Sequence, residues 1–157
     1  MFDVIMYLFD SYFFDENAHS VDANEIKKEL LEEGFTRSDI TKAMGWFEHL
    51  EKSHESKIDC QLDQPKKTSH RIYHKCESAK INSECQGFLL YLEEADILNV
   101  ASREVIIECM MQLDDAELDL FDFQWLTLMV LGYDPTENDA FLQLESMLFD
   151  FEGGLIH

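Results

Sequence analysis

Five side chains of the kind that bind soft or borderline metals, Cys60, His70, His74, Cys76 and Cys85, fall within 26 residues. Zinc takes four such ligands in tetrahedral geometry, usually as two pairs that each sit on one element. The His-x3-His pair here lies in His70-Arg71-Ile72-Tyr73-His74, whose β-branched and aromatic residues stand between polar ones and read as a strand. Strand rise then puts the two rings about 13 Å apart on one face, too far to share an ion. Free thiols in a polar loop are expected instead, with no metal and no cofactor. A second cluster, Asp114, Asp115, Glu117, Asp119 and Asp122, lacks the glycine of a calcium loop and has two leucines inside it. It reads as a solvated helix N-terminus, where the helix dipole favours negative charge. Cys76 or Cys85 beside a histidine would make a nucleophile only if folding brought them together. The sequence has no G-x-S-x-G elbow and no phosphate-cradling glycine loop, and its 6 glycines are assigned to caps and turns. No catalytic residues are nominated, and an enzyme is not expected.

The elements that would carry these residues are helical. Phe2, Ile5, Phe9, Tyr12 and Phe13 recur at three- and four-residue steps, predicting a helix over about residues 2–14. Asp22, with Glu25 three places on, caps a second helix that buries Ile26, Leu30 and Leu31 and ends at Gly34. Thr36 caps a third, with Asp39 in its first turn and Ile40, Ala43, Met44, Phe47 and Leu50 facing inward. Residues 53–82 form a polar linker without helical period. Ile58 to Leu62 is expected to pair with His70 to His74 as a small β-hairpin, turning at Pro65-Lys66-Lys67-Thr68.

From Ser83 the helical period returns. Cys85, Phe88, Leu89 and Leu92 form one stripe, and Ser102 is expected to cap a helix that buries Ile106, Cys109, Met110 and Leu113. A helix from about Asp119, apolar almost all round, is expected at the centre of this half. Asp134 and Pro135 open a last helix, ended by Gly153 and Gly154. Met110, Met111, Met129 and Met147 read as core fillers. The expected fold is mainly α, with a three-helix unit at residues 1–52, the linker at 53–82, and an acidic helical unit of the same helix-turn-helix-like order at 83–157.

Charge divides the chain along the same lines. Of 33 acidic and 12 basic residues, 12 and 5 fall in residues 1–52, 5 and 6 in 53–85, and 16 and 1 in 86–157. The three segments carry −7, +1 and −15, within a total of −21. Such a balance disfavours nucleic acid and anionic membranes, which clustered Lys and Arg meet. The helix-glycine turn-helix at Asp22 to Leu50 has the order of a DNA-binding unit, yet its second helix mixes Arg37, Lys42 and Lys52 with Asp39, Glu48 and Glu51. The apolar start MFDVIMYLFD is cut by Asp3 and Asp10, and Trp125 to Tyr133 is about half the roughly 20 residues of a membrane span. A cytoplasmic protein with reduced cysteines is expected.

The pieces MFDVIMYLFDSY at the start, EEGF and IxxAMxWFEHL between Glu32 and Leu50, RIY at Arg71, CQGFLLYLE from Cys85, REVIIE from Arg103, WLTLMVL from Trp125 and the closing Leu155-Ile156-His157 together resemble the bacterial Smg family. The resemblance runs end to end, is strongest over residues 71–131, and is weakest over Ser53 to Ser69. It implies a bacterial cytoplasmic protein, supplies no catalytic residues, and sets the gene near those of DNA-processing proteins. The reading that follows is a non-enzymatic interaction module whose acidic half docks on a basic protein. The alternative is a nucleic-acid accessory that uses Arg37, Lys42, Lys66, Lys67 and Arg71 as a basic strip.

Overall fold

A computed structural model describes residues 1–13, 22–60, 72–113, 118–134 and 137–155, and these form a mainly helical protein with no strand among them. The first helix, α1 (Phe2–Leu8), passes into a π-helical segment at Phe9–Phe13. The wider π turn changes the phase of the apolar stripe. In α1 itself Val4 and Leu8 are buried beside the expected Phe2 and Ile5, and Phe9 is buried at the start of the π segment.

Asp22 caps α2 (Ala23–Glu32), accepting a hydrogen bond from the Asn24 amide. Leu30 is fully buried, whereas Leu31, expected inside, is exposed. Gly34 closes α2 with φ of 100°, a left-handed backbone that costs a side-chain-bearing residue energy. The Phe35 amide thereby reaches the Leu30 carbonyl at 3.1 Å and the Gly34 amide that of Leu31 at 3.2 Å, the paired bonds of a Schellman stop. Phe35 then packs edge-on against Tyr7, ring centroids 5.6 Å apart.

Thr36 caps α3 (Arg37–Cys60) by accepting from the Asp39 amide at 3.1 Å. This helix is 24 residues long and does not stop near residue 52. Ile58–Cys60 therefore form its last turn, and the expected strand from Ile58 to Leu62 is not built there. HESKIDC contains no glycine or proline to break the helix, and Leu50 and Ser53 carry its buried face past its midpoint. Leu62, Pro65 to Thr68, His70 and Arg71 lie outside the described residues. Ile72 to His74 are not assigned to a strand; His74 has extended backbone and Ile72 is 87% exposed. His74 starts a short helix absent from the sequence reading, α4 (Lys75–Lys80), where the Glu77 carboxylate accepts from the His74 amide at 3.2 Å.

Among the described residues the C-terminal half holds four longer helices, one for each stretch of helical period read in the sequence: α5 (Ser83–Glu94), α6 (Val100–Met111), α7 (Leu120–Tyr133) and α8 (Asn138–Leu155). Asn82 caps α5, and its side chain accepts from the Cys85 amide at 3.0 Å. Asn99, not Ser102, caps α6: its side chain accepts from the Ser102 amide at 2.8 Å. The helix expected from about Asp119 is α7, and the Asp119 side chain caps it, accepting from the Asp122 amide at 2.8 Å. The α8 helix continues through Gly153 and Gly154 to Leu155 rather than ending at them.

The centre of the molecule is shared by α6 and α7. Thr127 to Leu131 are all buried, and so are Val105 to Ile107, Cys109 and Met110. On one side α6 receives α3, and on the other α7, which is covered in turn by α5 and α8. Across the α3–α6 seam, Trp46 is 2% exposed and donates its indole N–H to the Cys109 carbonyl at 2.8 Å. That carbonyl belongs to the last turn of α6, where helix geometry leaves acceptors without partners. Lys80 does the same from α4, donating to the carbonyls of Met111 and Leu113. The buried residues from Phe2 to Leu144 form one apolar cluster spanning both halves.

Candidate docking surface

The positive charge of residues 86–157 rests on Arg103 alone. It lies in the first turn of α6 with its side chain 9% exposed. Nη1 donates to both carboxylate oxygens of Glu93, at 2.9 and 3.0 Å, and Nη2 donates to Glu104 at 3.0 Å. A guanidinium matches carboxylates in this forked manner and stays charged when buried. Glu93 sits at the end of α5, so the ion pair ties α5 to α6. A second polar knot holds α8: the Glu137 carboxylate accepts from the Asn99 amide group at 2.7 Å and from the Ser102 hydroxyl at 2.9 Å. Its negative charge faces the N-terminus of α6, where the dipole favours it. Glu94, Asp96, Glu108, Asp119 and Asp139 remain exposed. This half is anionic because it carries 16 acidic residues against one basic, and that one is internal.

Five of the seven exposed large apolar side chains among the described residues also follow residue 85: Leu90, Tyr91, Phe121, Tyr133 and Leu142. Leu90 and Tyr91 stand on the outer face of α5, beside Gly87. That glycine was assigned to a cap or turn, yet it lies inside the helix. A Cβ built on it would meet nothing within 4 Å. An interior helical glycine costs about 1 kcal/mol relative to alanine, and nothing among the described residues crowds its position.

The N-terminal half presents a different surface. Arg37, Lys42 and Lys52 are exposed on α3, while Ile40, Ala43, Trp46, Leu50 and Ser53 are buried along its other face. Ser53 donates to Glu108 of α6 at 3.0 Å. Beside the start of α3, the amine of Met1 lies 3.4 Å from the Asp39 carboxylate. The Thr36 side-chain hydrogen bond, then that amine, hold the Asp39 carboxyl below its ordinary pKa. An open groove of about 270 Å³ follows, lined by Met1, Lys42, Gly45, Trp46 and Gln112. Lys66, Lys67 and Arg71 of the expected basic strip lie outside the described residues.

Among the described residues, those nominated for chemistry form no metal-binding group. Cys85 and Cys109 are fully buried, and burial pushes their thiols up to about 11 and about 12, away from the thiolate that nucleophiles and metals need. Cys76 is exposed on α4, His74 precedes that helix, and nothing is described of the side chains of Cys60 and His70. No three His, Cys, Asp or Glu residues among those described are placed to hold a metal ion. Asp114, Asp115 and Glu117 lie outside the described residues.

One constellation escaped the sequence reading. His54 of α3 lies with Nδ1 3.4 Å from Asp134 and stacks on Tyr133, ring centroids 5.4 Å apart. Burial, then the charges of Glu51 and Glu55, raise the Tyr133 pKa above its ordinary value. The local signal was the Glu51, His54, Glu55 spacing on one helical face. Its partners stand about 80 residues away in sequence, and no local pattern announces them.

Over residues 1–157 the chain matches the family described as "Protein of unknown function (DUF494)". It is 40% identical over 157 residues to the "Protein Smg homolog" of Aeromonas hydrophila, covering 100% of both chains. It is 42% identical over 162 residues to the "Protein Smg homolog" of Shewanella frigidimarina, covering 100% of this chain and 99% of the relative. The protein of that name from Vibrio atlanticus is 38% identical over 157 residues, with the same coverage. No solved structure matches. No helix among the described residues is long and apolar enough to cross a membrane.

Proposed function

This chain belongs to the family of proteins of unknown function (DUF494), as the Smg-like motifs of its sequence imply, and from that premise we propose that it is a non-enzymatic, all-α interaction module of the cytoplasm whose anionic C-terminal half docks on a basic protein. The observation that carries this reading is the place of Arg103. A half-chain at −15 that also buries its one cation in ion pairs with Glu93 and Glu104 offers a partner a surface of one sign. At physiological salt such a field extends only about 8 Å, so the partner presents Lys or Arg in direct contact. Residues 1–52 hold α6 in place through Trp46 and serve as the scaffold. Retention of basic proteins from a bacterial lysate at low salt, and their loss at high salt, is the expected result of a pull-down. Retention of no basic protein at low salt defeats the reading.

A second reading uses α2, the Gly34 turn and α3 as a nucleic-acid unit, with Arg37 and Lys42 exposed at the start of α3 in its favour. It predicts a mobility shift of duplex or single-stranded DNA at about 50 mM salt, the permissive condition for phosphate contacts. No shift at micromolar protein sinks it.

A further inference from the structure

The inner arc of α5 is accounted for by Cys85, Phe88, Leu89 and Leu92, all buried against the rest of the helical core. At 100° per residue, Glu84, Gly87, Leu90, Tyr91 and Glu94 occupy the opposite arc, and all five are exposed. Leu90 is 41% and Tyr91 53% exposed. Within this chain the face makes no sense on its own terms. Gly87 weakens the helix without relieving any clash, and Leu90 and Tyr91 hold apolar surface in water. Both costs reverse if a second helix lies across α5. The missing Cβ at Gly87 lets its backbone approach, and Leu90 and the Tyr91 ring flank it, with the Tyr91 hydroxyl free to reach a polar rim.

Charge identifies the occupant. Glu84 and Glu94 bracket the apolar centre about 15 Å apart along the helix. Arg103, the one cation of the half, is internal. A second copy seated by two-fold symmetry would set the glutamates of one α5 against those of the other. We infer that the Gly87–Leu90–Tyr91 face of α5, between Glu84 and Glu94, is the seat of a basic amphipathic helix from another protein, with Lys or Arg about three turns apart at its ends. The inference rests on the docking reading above and gives it a place and a partner class.

The probe is a fluorescent amphipathic peptide of about 18 residues, long enough to overlap α5, with Ala and Leu on one face and Lys toward both ends. Anisotropy titration of the full chain at about 50 mM salt is expected to show saturable binding. Gly87→Leu, Tyr91→Ala and Glu94→Lys each weaken it about tenfold or more, as substitutions at the centre or charged ends of a helix-in-groove contact do. Leu31→Ala, at an exposed position of α2 outside the docking half, leaves it unchanged. A Cβ at Gly87 meets nothing within 4 Å and leucine is a far better helix former than glycine, so the melting temperature of Gly87→Leu is expected to equal or exceed that of the parent, separating lost binding from lost folding. Salt-sensitive binding that is indifferent to Gly87→Leu and Tyr91→Ala overturns the α5 seat and leaves the anionic-surface reading standing. No salt-sensitive binding at all overturns both. A dimer in sedimentation that Gly87→Leu dissolves makes the occupant a second copy and overturns the inference.

Discussion

The two halves of the molecule treat charge and apolar surface in opposite ways. On the α3 side, Arg37, Lys42 and Lys52 remain in water and the large apolar groups turn inward. On the α5–α8 side, Arg103 is internal, while Leu90, Tyr91, Phe121 and Leu142 are exposed. Formal charges of −7 and −15 therefore understate how differently the halves present themselves. An exposed mixed-sign helix is a neutral scaffold. A surface stripped of cations and carrying apolar side chains is what a basic partner can use.

The contrast is broken most directly at Arg103. Arg103→Ala leaves Glu93 and Glu104 without their counter-charge and is expected to cost about 3 kcal/mol in urea denaturation, in line with the loss of one partner of a buried pair. Trp46→Phe removes the donor to the Cys109 carbonyl and opens a cavity at the α3–α6 seam, costing about 2 kcal/mol. If the loss at Trp46 exceeds that at Arg103, the seam rather than the internal ion pair is the stronger tie.

Alkaline pH tests the buried thiols of α5 and α6. An acid whose folded pKa is raised contributes stability that is complete below its unfolded value and is lost as pH rises toward the folded one. Cys85 and Cys109 are raised from 9.0 to about 11 and about 12, so the window opens near pH 9 and closes near pH 12. Bringing the protein from pH 8 to pH 10 is expected to cost about 1 kcal/mol per thiol, and Cys109→Ala should flatten that slope in melts across the range.

Gly87→Ala is expected to work in the other direction, raising stability by about 1 kcal/mol in thermal melts. A loss of stability there would mean that the fold itself uses the glycine. Arg37→Ala closes the series with a change within about 0.5 kcal/mol, as befits an exposed side chain. A larger effect would make the scaffold side less inert than its exposure indicates.

What could be read in the sequence was local. The stripe Cys85, Phe88, Leu89 and Leu92 is buried as its spacing requires, and Asp22 and Thr36 each cap the helix that follows them. These features depend on residues three or four apart and on side chains that reach amides of their own helix. The errors lie where the decisive partner is distant. The expected cap Ser102 hydrogen-bonds Glu137, the unforeseen core residue Trp46 reaches Cys109, and the extension of α3 through a polar segment follows no apolar period.

Composition and spacing by themselves determined a helical fold, the caps Asp22 and Thr36 and the concentration of negative charge after residue 85, because each depends on chain-local geometry or on counting. Only the tertiary structure decided that Arg103 is internal, that α6 and α7 share the centre, and that Gly87, Leu90 and Tyr91 face outward together. Which side of a helix meets water depends on what the rest of the chain has already covered, and that is a property of packing.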